Sequence, residues 1–222
     1  MSKYHLLLGL GIYIGLIGCS ATSDQHSAKS HKQDAAKQGE GDRKSESNQL
    51  KEAKFPFVVD NFEGAHLKKW RKQDSGNMKS AIEFSNDAKE GKKSAKVSFT
   101  GSKEDSSWLD LFYDIGVGNW PKGGNVITFW AKAPKECKVL LKINQGAQHE
   151  EWEFYGSKEL TIGTEWKKYS LNIKDTANLI WGHLEPPSGR IIPETVYGIG
   201  FDAVDFPMEF LVDQLQIESE KK

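Results

Sequence analysis

Residues 126–132 read Val-Ile-Thr-Phe-Trp-Ala-Lys, and residues 137–144 read Cys-Lys-Val-Leu-Leu-Lys-Ile-Asn. Apolar side chains stand at alternate positions in both stretches, which is the pattern of a β-strand with one face in a hydrophobic core. Similar runs, separated by Gly, Pro, Asn and Ser, continue in both directions. They predict strands near 57–63, 80–84, 95–100, 107–115, 125–133, 137–145, 149–155, 165–173, 196–202 and 209–217. This spacing, with no long amphipathic helix pattern, predicts an all-β fold, an antiparallel β-sandwich.

The alternation sorts the side chains of each strand into two sets. One set is apolar and is predicted to form the core between the sheets: Leu109, Leu111, Tyr113, Ile115, Ile127, Phe129, Ala131, Val139, Leu141, Ile143, Trp152, Phe154, Tyr169, Leu171, Ile173, Ile199 and Phe201. The other set mixes aromatic, charged and amide side chains, and we predict a ligand-binding face from it: Trp108, Asp110, Trp130, Lys132, Lys142, Asn144, Glu151, Glu153, Tyr155 and Asp202. Aromatic rings pack on the C–H faces of sugars, while charged and amide groups bond their hydroxyls.

Two glycines and a Pro-rich loop bear on the shape of that face. Gly198 and Gly200 remove side chains from one side of a strand, which favours a groove where a chain ligand lies close to the backbone. Trp181 and His183, in the predicted loop 174–195, are candidates for one end of the groove. The alternative is a polar, solvated sheet face, with Trp108 and Trp130 as a stabilising cross-strand pair and Trp181 plugging the sandwich edge.

The N-terminal part of the chain predicts secretion and lipidation. Residues 1–18 carry Lys3 and then an apolar run that is too short to span a membrane, as in a signal peptide. Leu16-Ile17-Gly18-Cys19 resembles the bacterial lipobox, so we predict lipidation at Cys19, the alternative being an ordinary signal peptide. Ser20 follows in place of the aspartate associated with inner-membrane retention, which favours the outer membrane.

Composition then separates a linker from a domain. The rest of the 19–54 segment has no aromatic residue and little aliphatic content, so we predict a disordered linker. Residues 55–219 hold all 7 Trp and are enough for one well-cored domain. Once Cys19 carries lipid, Cys137 has no partner for a disulfide. The formal net charge of −1 gives no case for binding nucleic acid or an anionic membrane surface.

The usual catalytic motifs are missing from the sequence. It contains no Gly-x-Ser-x-Gly, His-Glu-x-x-His, phosphate loop or Cys-x-x-Cys pattern. Cys137 opens a predicted strand and is interpreted as a packed residue. Glu151 and Glu153 share a strand face and are the residues a hydrolase or lyase would use. We expect a protein that is not an enzyme, and a hydrolase or lyase that uses Glu151 and Glu153 is the alternative.

Seven segments in the same order resemble a jelly-roll carbohydrate-binding module, nearest to the family 11 type and its galactose-binding-like relatives. They are 59–63 (VDNFE), Trp70, 91–97 (GKKSAKV), 127–132 (ITFWAK), 165–169 (EWKKY), 197–201 (YGIGF) and 210–213 (FLVD). The resemblance implies that the first and last strands lie together and hold a structural calcium ion. The residues that match this site are Asp60, Glu63, Gly91, Lys93 and Asp213.

These observations predict a monomeric lipoprotein that faces the periplasm or the cell exterior and touches the membrane only through its lipid. Its expected partner is a polysaccharide or glycan, bound without catalysis. Two alternatives stay open: a structural or assembly module that binds a protein, and a glycan hydrolase or lyase.

Overall fold

A computed structural model of the chain describes residues 53–102, 108–146, 152–176, 178–182 and 187–220. The predicted signal peptide, Cys19, most of the linker, Glu151 and His183 lie outside these residues. No helix in the described ranges is long and apolar enough to cross a membrane.

Within the described residues thirteen strands form two antiparallel sheets, and the all-β sandwich prediction is confirmed. The strands are β1 (Phe57–Asp60), β2 (Trp70–Asp74), β3 (Lys79–Ser85), β4 (Ser94–Thr100), β5 (Leu109–Asp114), β6 (Val126–Lys132), β7 (Cys137–Gly146), β8 (Trp152–Gly156), β9 (Leu160–Ile162), β10 (Lys167–Asn172), β11 (Asn178–Gly182), β12 (Val196–Ala203) and β13 (Met208–Glu218). Short 3₁₀ helices occupy Ile173–Thr176 and Pro193–Thr195.

The first sheet has the strand order β10-β6-β13-β4-β3, with β1 paired to β13. The second sheet has the order β11-β8-β7-β12-β5-β2, with β9 paired to β7. Phe57 lies opposite Ile217, so the first and last strands are neighbours, as the resemblance implies. Strands β2, β9 and β11 are absent from the sequence prediction, and β11 lies inside the stretch predicted as a loop.

Apolar side chains from both sheets meet in one core. Phe129 of the first sheet contacts Phe201 of the second edge to face, with ring centroids 5.2 Å apart. Trp70 of the second sheet stacks on Phe201, with ring centroids 6.4 Å apart. The alternation correctly assigned these core residues: Leu109, Leu111, Ile127, Phe129, Ala131, Val139, Leu141, Ile143, Ile199 and Phe201. Burial of these side chains is the main driving force for the sandwich.

Candidate functional site

A groove runs over the outer face of the second sheet and consists of two adjoining cavities. Their volumes are about 380 Å³ and about 660 Å³. Trp108, Phe154 and Trp181 line both cavities, so they surround the place where the cavities meet. Because β5 and β11 lie at opposite sides of β7 and β12, Trp108 and Trp181 mark the two margins of the groove.

One margin is a cluster of three aromatic side chains on β8 and the edge strand β11. Trp181 pairs across the strands with Phe154, and its ring centroid lies 4.2 Å from that of Trp152. Trp152 also stacks on Phe154, at 5.1 Å. Despite these contacts 56% of Trp181 is exposed. The cluster therefore presents an open aromatic surface toward the groove.

The other margin carries Trp108, of which 47% is exposed. Its backbone exchanges hydrogen bonds with Ser75: the Trp108 N–H donates to the Ser75 hydroxyl and the Ser75 N–H donates to the Trp108 carbonyl, both at 3.0 Å. Beyond it, Phe112 and Tyr197 meet edge to face with centroids 5.8 Å apart. Exposed aromatic surface on both margins of one groove is typical of a ligand site.

Between the margins lies a buried polar network. The ammonium group of Lys142 is 2.7 Å from Oδ1 of Asp110, and these side chains are 2% and 3% exposed. Lys142 also donates to the Leu109 carbonyl at 3.0 Å. The Asn144 amide donates to both Asp110 oxygens, at 3.1 Å and 3.2 Å. Its Oδ1 is the buried side-chain oxygen for which no partner exists among the described residues.

The comparisons with known proteins bear on the fold. By sequence, no family model and no curated protein matches the chain. Among solved structures, it is similar to a family 11 carbohydrate-binding module from Clostridium thermocellum in complex with a β-1,3-1,4-mixed-linked tetrasaccharide. The identity is 18%, the match covers 75% of this chain and 96% of that one, and the TM-score is 0.61.

Two further structures agree. The family 11 module of the cellulosomal cellulase Lic26A-Cel5E of C. thermocellum matches with 18% identity, coverage of 77% and 98%, and a TM-score of 0.57. The family 30 module of the cellulosomal cellulase Cel9D-Cel44B of C. thermocellum matches with 12% identity, coverage of 69% and 93%, and a TM-score of 0.50. The chain has the jelly-roll fold of carbohydrate-binding modules. At these identities the likeness shows the fold alone.

Five of the predicted ligand residues lie together in the groove of this jelly roll. Trp108 and Asp202 line it, and Asp110, Lys142 and Asn144 form the network beneath it. Trp181 lies on the groove wall, as one of the two interpretations of the sequence predicted. It does so from an edge strand and not from a loop.

The prediction that Trp130 and Lys132 belong to the same face is wrong. Both lie on β6 of the first sheet, where the neighbouring Phe129 points into the core. The side chain of Trp130 therefore faces away from the groove, on the opposite side of the sandwich, and cannot pair with Trp108. The Lys89 ammonium covers the Trp130 ring at 4.5 Å, and Lys132 pairs with Asp87 at 2.6 Å.

The prediction for Glu153 and Tyr155 is also wrong, because β8 has the opposite orientation. Glu153 lies opposite Gln145 and Tyr155 opposite Ile143, so both side chains turn to the inner side and are fully buried. Trp152 and Phe154, predicted for the core, face the groove instead. A buried Glu153 has no access to a sugar. The hydrolase or lyase alternative, which requires both Glu151 and Glu153, therefore lacks one of its two catalytic acids.

The contacts of Glu153 explain why an acid is tolerated in this position. The Ser188 N–H donates to Oε1 at 2.8 Å, and the Gln145 amide donates to Oε2 at 2.9 Å. Burial alone raises the pKa of Glu153, but hydrogen bonds from Ser188 and Gln145 outweigh it and leave the pKa below its usual value. The carboxylate is ionised and satisfied without a ligand.

Gly198 and Gly200 do not open space for a ligand. A Cβ atom on Gly198 would lie 2.6 Å from the Phe112 ring and 3.2 Å from Cβ of Asn144. On Gly200 it would lie 2.0 Å from the Leu111 carbonyl oxygen. The glycines allow β5 and the Phe112 ring to approach β12 closely, so the prediction of a ligand lying on them is wrong.

Cys137 behaves as the packed residue that the sequence predicts. It is free and buried at the start of β7. Burial raises the pKa of its thiol to about 11, so the thiol stays protonated at neutral pH. A protonated, buried thiol is a poor nucleophile.

Asp213 belongs to the predicted calcium site. Its carboxylate is fully buried, and Oδ2 accepts the N–H groups of Lys89 and Glu90, both at 2.9 Å. Oδ1 accepts the N–H of Gln214 at 2.8 Å. Burial raises the pKa of Asp213 in spite of these hydrogen bonds. The carboxylate thus binds backbone amides on both of its oxygens.

Glu63 makes the same kind of contact with the following turn. Its Oε1 accepts the N–H groups of Lys92 and Lys93, at 2.7 Å and 2.8 Å, and these bonds lower its pKa. Oε1 lies against Gly91, where a Cβ atom would be 2.3 Å away. The Lys93 ammonium binds the Gly64 carbonyl at 3.1 Å. The turn therefore directs amide donors, and not carbonyl oxygens, at Glu63.

Asp60 completes the predicted set and is also engaged. Its oxygens accept the Phe62 N–H at 2.8 Å and the Trp70 indole N–H at 2.9 Å. Calcium requires about six to eight oxygen ligands. In the ranges that the structure describes, no three His, Cys, Asp or Glu side chains form a group able to hold a metal ion. These residues do not fit the calcium site that the resemblance implies.

Proposed function

We propose that the groove of the second sheet binds a polysaccharide or glycan without catalysis. The observation that carries the proposal is the pair of exposed tryptophans, Trp108 and Trp181, on opposite margins of one groove. Indole rings pack on the C–H faces of pyranoses, and water released from both surfaces favours the contact. The family 11 module similar to this chain was solved with a β-1,3-1,4-mixed-linked tetrasaccharide, which makes mixed-linked β-glucan the first ligand to test.

Affinity electrophoresis against glucans, xylans and mannans tests the proposal, with mixed-linked β-1,3-1,4-glucan included. We expect retardation by at least one polysaccharide. Trp108→Ala and Trp181→Ala should each weaken binding at least tenfold, about 1.4 kcal/mol. Trp130→Ala is the matched control, because Trp130 lies on the other sheet, and it should bind as the unmodified protein does.

Failure of every glycan to retard the protein would refute glycan binding and favour the module that binds a protein partner. Release of reducing ends or unsaturated products from the same polysaccharides would establish an enzyme. Loss of binding in Trp130→Ala but not in Trp181→Ala would place the binding site on the outer face of the first sheet and would refute the proposed groove.

The proposal includes a lipid anchor on Cys19 that holds the protein at the cell surface, and its support is the lipobox-like sequence Leu16-Ile17-Gly18-Cys19. More than one acyl chain is needed for stable anchoring, and lipoprotein processing supplies them. Metabolic labelling with a fatty acid should mark the protein and leave Cys19→Ser unlabelled. An unlabelled protein released to the medium would contradict the lipid anchor but would not bear on the proposal that the groove binds a glycan. Fractionation of the labelled cells decides between outer and inner membrane.

A further inference from the structure

Glu153 lies between the two groove aromatics of its strand, Trp152 and Phe154, with its side chain on the opposite side of the sheet. It is at the centre of three strands, opposite Gln145 on β7 and Gly182 on β11. A Cβ atom on Gly182 would lie 3.0 Å from Cγ of Glu153. The Glu153 side chain therefore packs directly beneath the end of the edge strand that carries Trp181.

The same carboxylate binds the chain where it returns to the sheet. Ser188 donates to it twice, from its N–H to Oε1 at 2.8 Å and from its hydroxyl to Oε2. The Tyr155 hydroxyl is 2.9 Å from the Ser188 hydroxyl. Gln145 extends the connection, since it accepts the Ile192 N–H at 2.8 Å. Residues 188–192 are thus fixed to β7 and β8 by partly buried hydrogen bonds.

The edge strand β11 is also held by its pairing with β8 and by the packing of Trp181 on Trp152 and Phe154. Among the described strands β8 is its neighbour in the sheet, and four of the five residues of β11 are exposed. Trp181 lies one residue before Gly182, and Ser188 follows Gly182 by six residues in the sequence. Glu153 consequently contacts the chain on both sides of the segment that follows Trp181.

We infer that Glu153 is a positioning residue for the aromatic margin of the groove. By accepting hydrogen bonds from Ser188 and packing against Gly182, it fixes β11 on β8 and so sets the position of Trp181 against Trp152. This inference rests on the proposed function for its effect on glycan binding. Its effect on the tryptophan pair is independent of any ligand.

The test therefore uses two readouts on Glu153→Gln in the full-length protein. The first is circular dichroism, because indole rings 4.2 Å apart couple their transitions and give a characteristic signal. The second is affinity for the β-1,3-1,4-mixed-linked tetrasaccharide. Glutamine keeps the size of the side chain but replaces one acceptor oxygen by an NH₂ donor facing Ser188 or Gln145. The matched control is Glu165→Gln, an exposed acid outside the groove.

We expect Glu153→Gln to lose most of the coupled tryptophan signal and to bind the tetrasaccharide at least tenfold more weakly, while Glu165→Gln keeps both. A folded Glu153→Gln with an unchanged signal would overturn the inference. If Glu153→Gln does not fold, Ser188→Ala removes the hydroxyl and leaves the acid in place; it should reduce the signal, and an unchanged signal again overturns the inference. If the unmodified protein binds no glycan, the proposed function fails, but the tryptophan signal still decides the role of Glu153.

Discussion

Replacing Lys142 by methionine removes the ammonium group from the buried network and leaves the Asp110 carboxylate without its cationic partner. The Nζ–Oδ1 distance of 2.7 Å corresponds to an attraction of about 6 kcal/mol at an effective dielectric constant of about 20. Methionine relieves the cost of burying the ammonium group, which offsets part of that loss. Breaking such a buried pair on one side lowers the free energy of unfolding by about 3–5 kcal/mol. For a domain of this size the melting temperature should fall by roughly 6–20 °C.

Guanidinium unfolding followed by tryptophan fluorescence measures the change. Lys138→Met is the matched control on the same strand, because the Lys138–Glu159 pair is 3.0 Å long but 49% and 52% exposed. Surface pairs contribute little to stability, so this variant should unfold nearly as the unmodified protein does. The double variant Lys142→Met/Asp110→Leu should regain part of the lost stability. A Lys142→Met variant as stable as Lys138→Met would refute this account of the network.

Three further predictions concern other parts of the domain. Gly200→Ala places a Cβ atom 2.0 Å from the Leu111 carbonyl and should destabilise by at least about 1–3 kcal/mol in thermal unfolding, whereas Gly163→Ala, which meets nothing within 4 Å, should not. Because the pKa of Glu153 is lowered by folding, its stabilising contribution is complete above the unfolded pKa, about 4.3, and is lost as the pH falls through the folded pKa. Glu153→Gln should therefore flatten the acid side of the stability profile, and an unchanged slope would contradict this. The melting temperature should be the same in a calcium chelator as in excess calcium; a fall on chelation would establish the metal site.

The sequence predicts the core well because alternation is a local property of each strand. Ile127, Phe129 and Ala131 occupy one side of β6 whatever that strand pairs with. Alternation does not tell which sheet a strand joins, however, and a sandwich has two outer faces. Trp108 and Trp130 both point outward, but from different sheets, so one predicted face became two.

The predicted orientation of β8 is wrong for a different reason. Each strand was oriented by placing its more apolar side inward, and in β8 that side contains Trp152 and Phe154. In the structure the Glu153 side of β8 faces inward, because Ser188 and Gln145 donate hydrogen bonds to the buried carboxylate. The rings of Trp152 and Phe154 therefore face the groove. Ser188 is far from Glu153 in sequence, so no local pattern contained this information. One signal in the sequence indicates that Trp152 and Phe154 face outward. It is a third aromatic residue, Trp181, within the stretch predicted as a loop.

The groove has an upper layer of exposed aromatic rings and a lower layer of buried polar side chains. Substitutions in the two layers should have opposite effects on stability and on glycan affinity. Asn144 belongs to the lower layer, where its amide is fully buried and donates to both oxygens of Asp110, so Asn144→Leu removes both hydrogen bonds and leaves the carboxylate less satisfied. Trp181 belongs to the upper layer, where more than half of its surface is exposed, so Trp181→Ala removes contact area for a ligand together with partly exposed packing on Trp152 and Phe154. Asn144→Leu should therefore lower the melting temperature more than it lowers glycan affinity, and Trp181→Ala should do the reverse. Measuring both quantities for both variants tests the division, and equal losses of affinity would show that the lower layer meets the ligand directly.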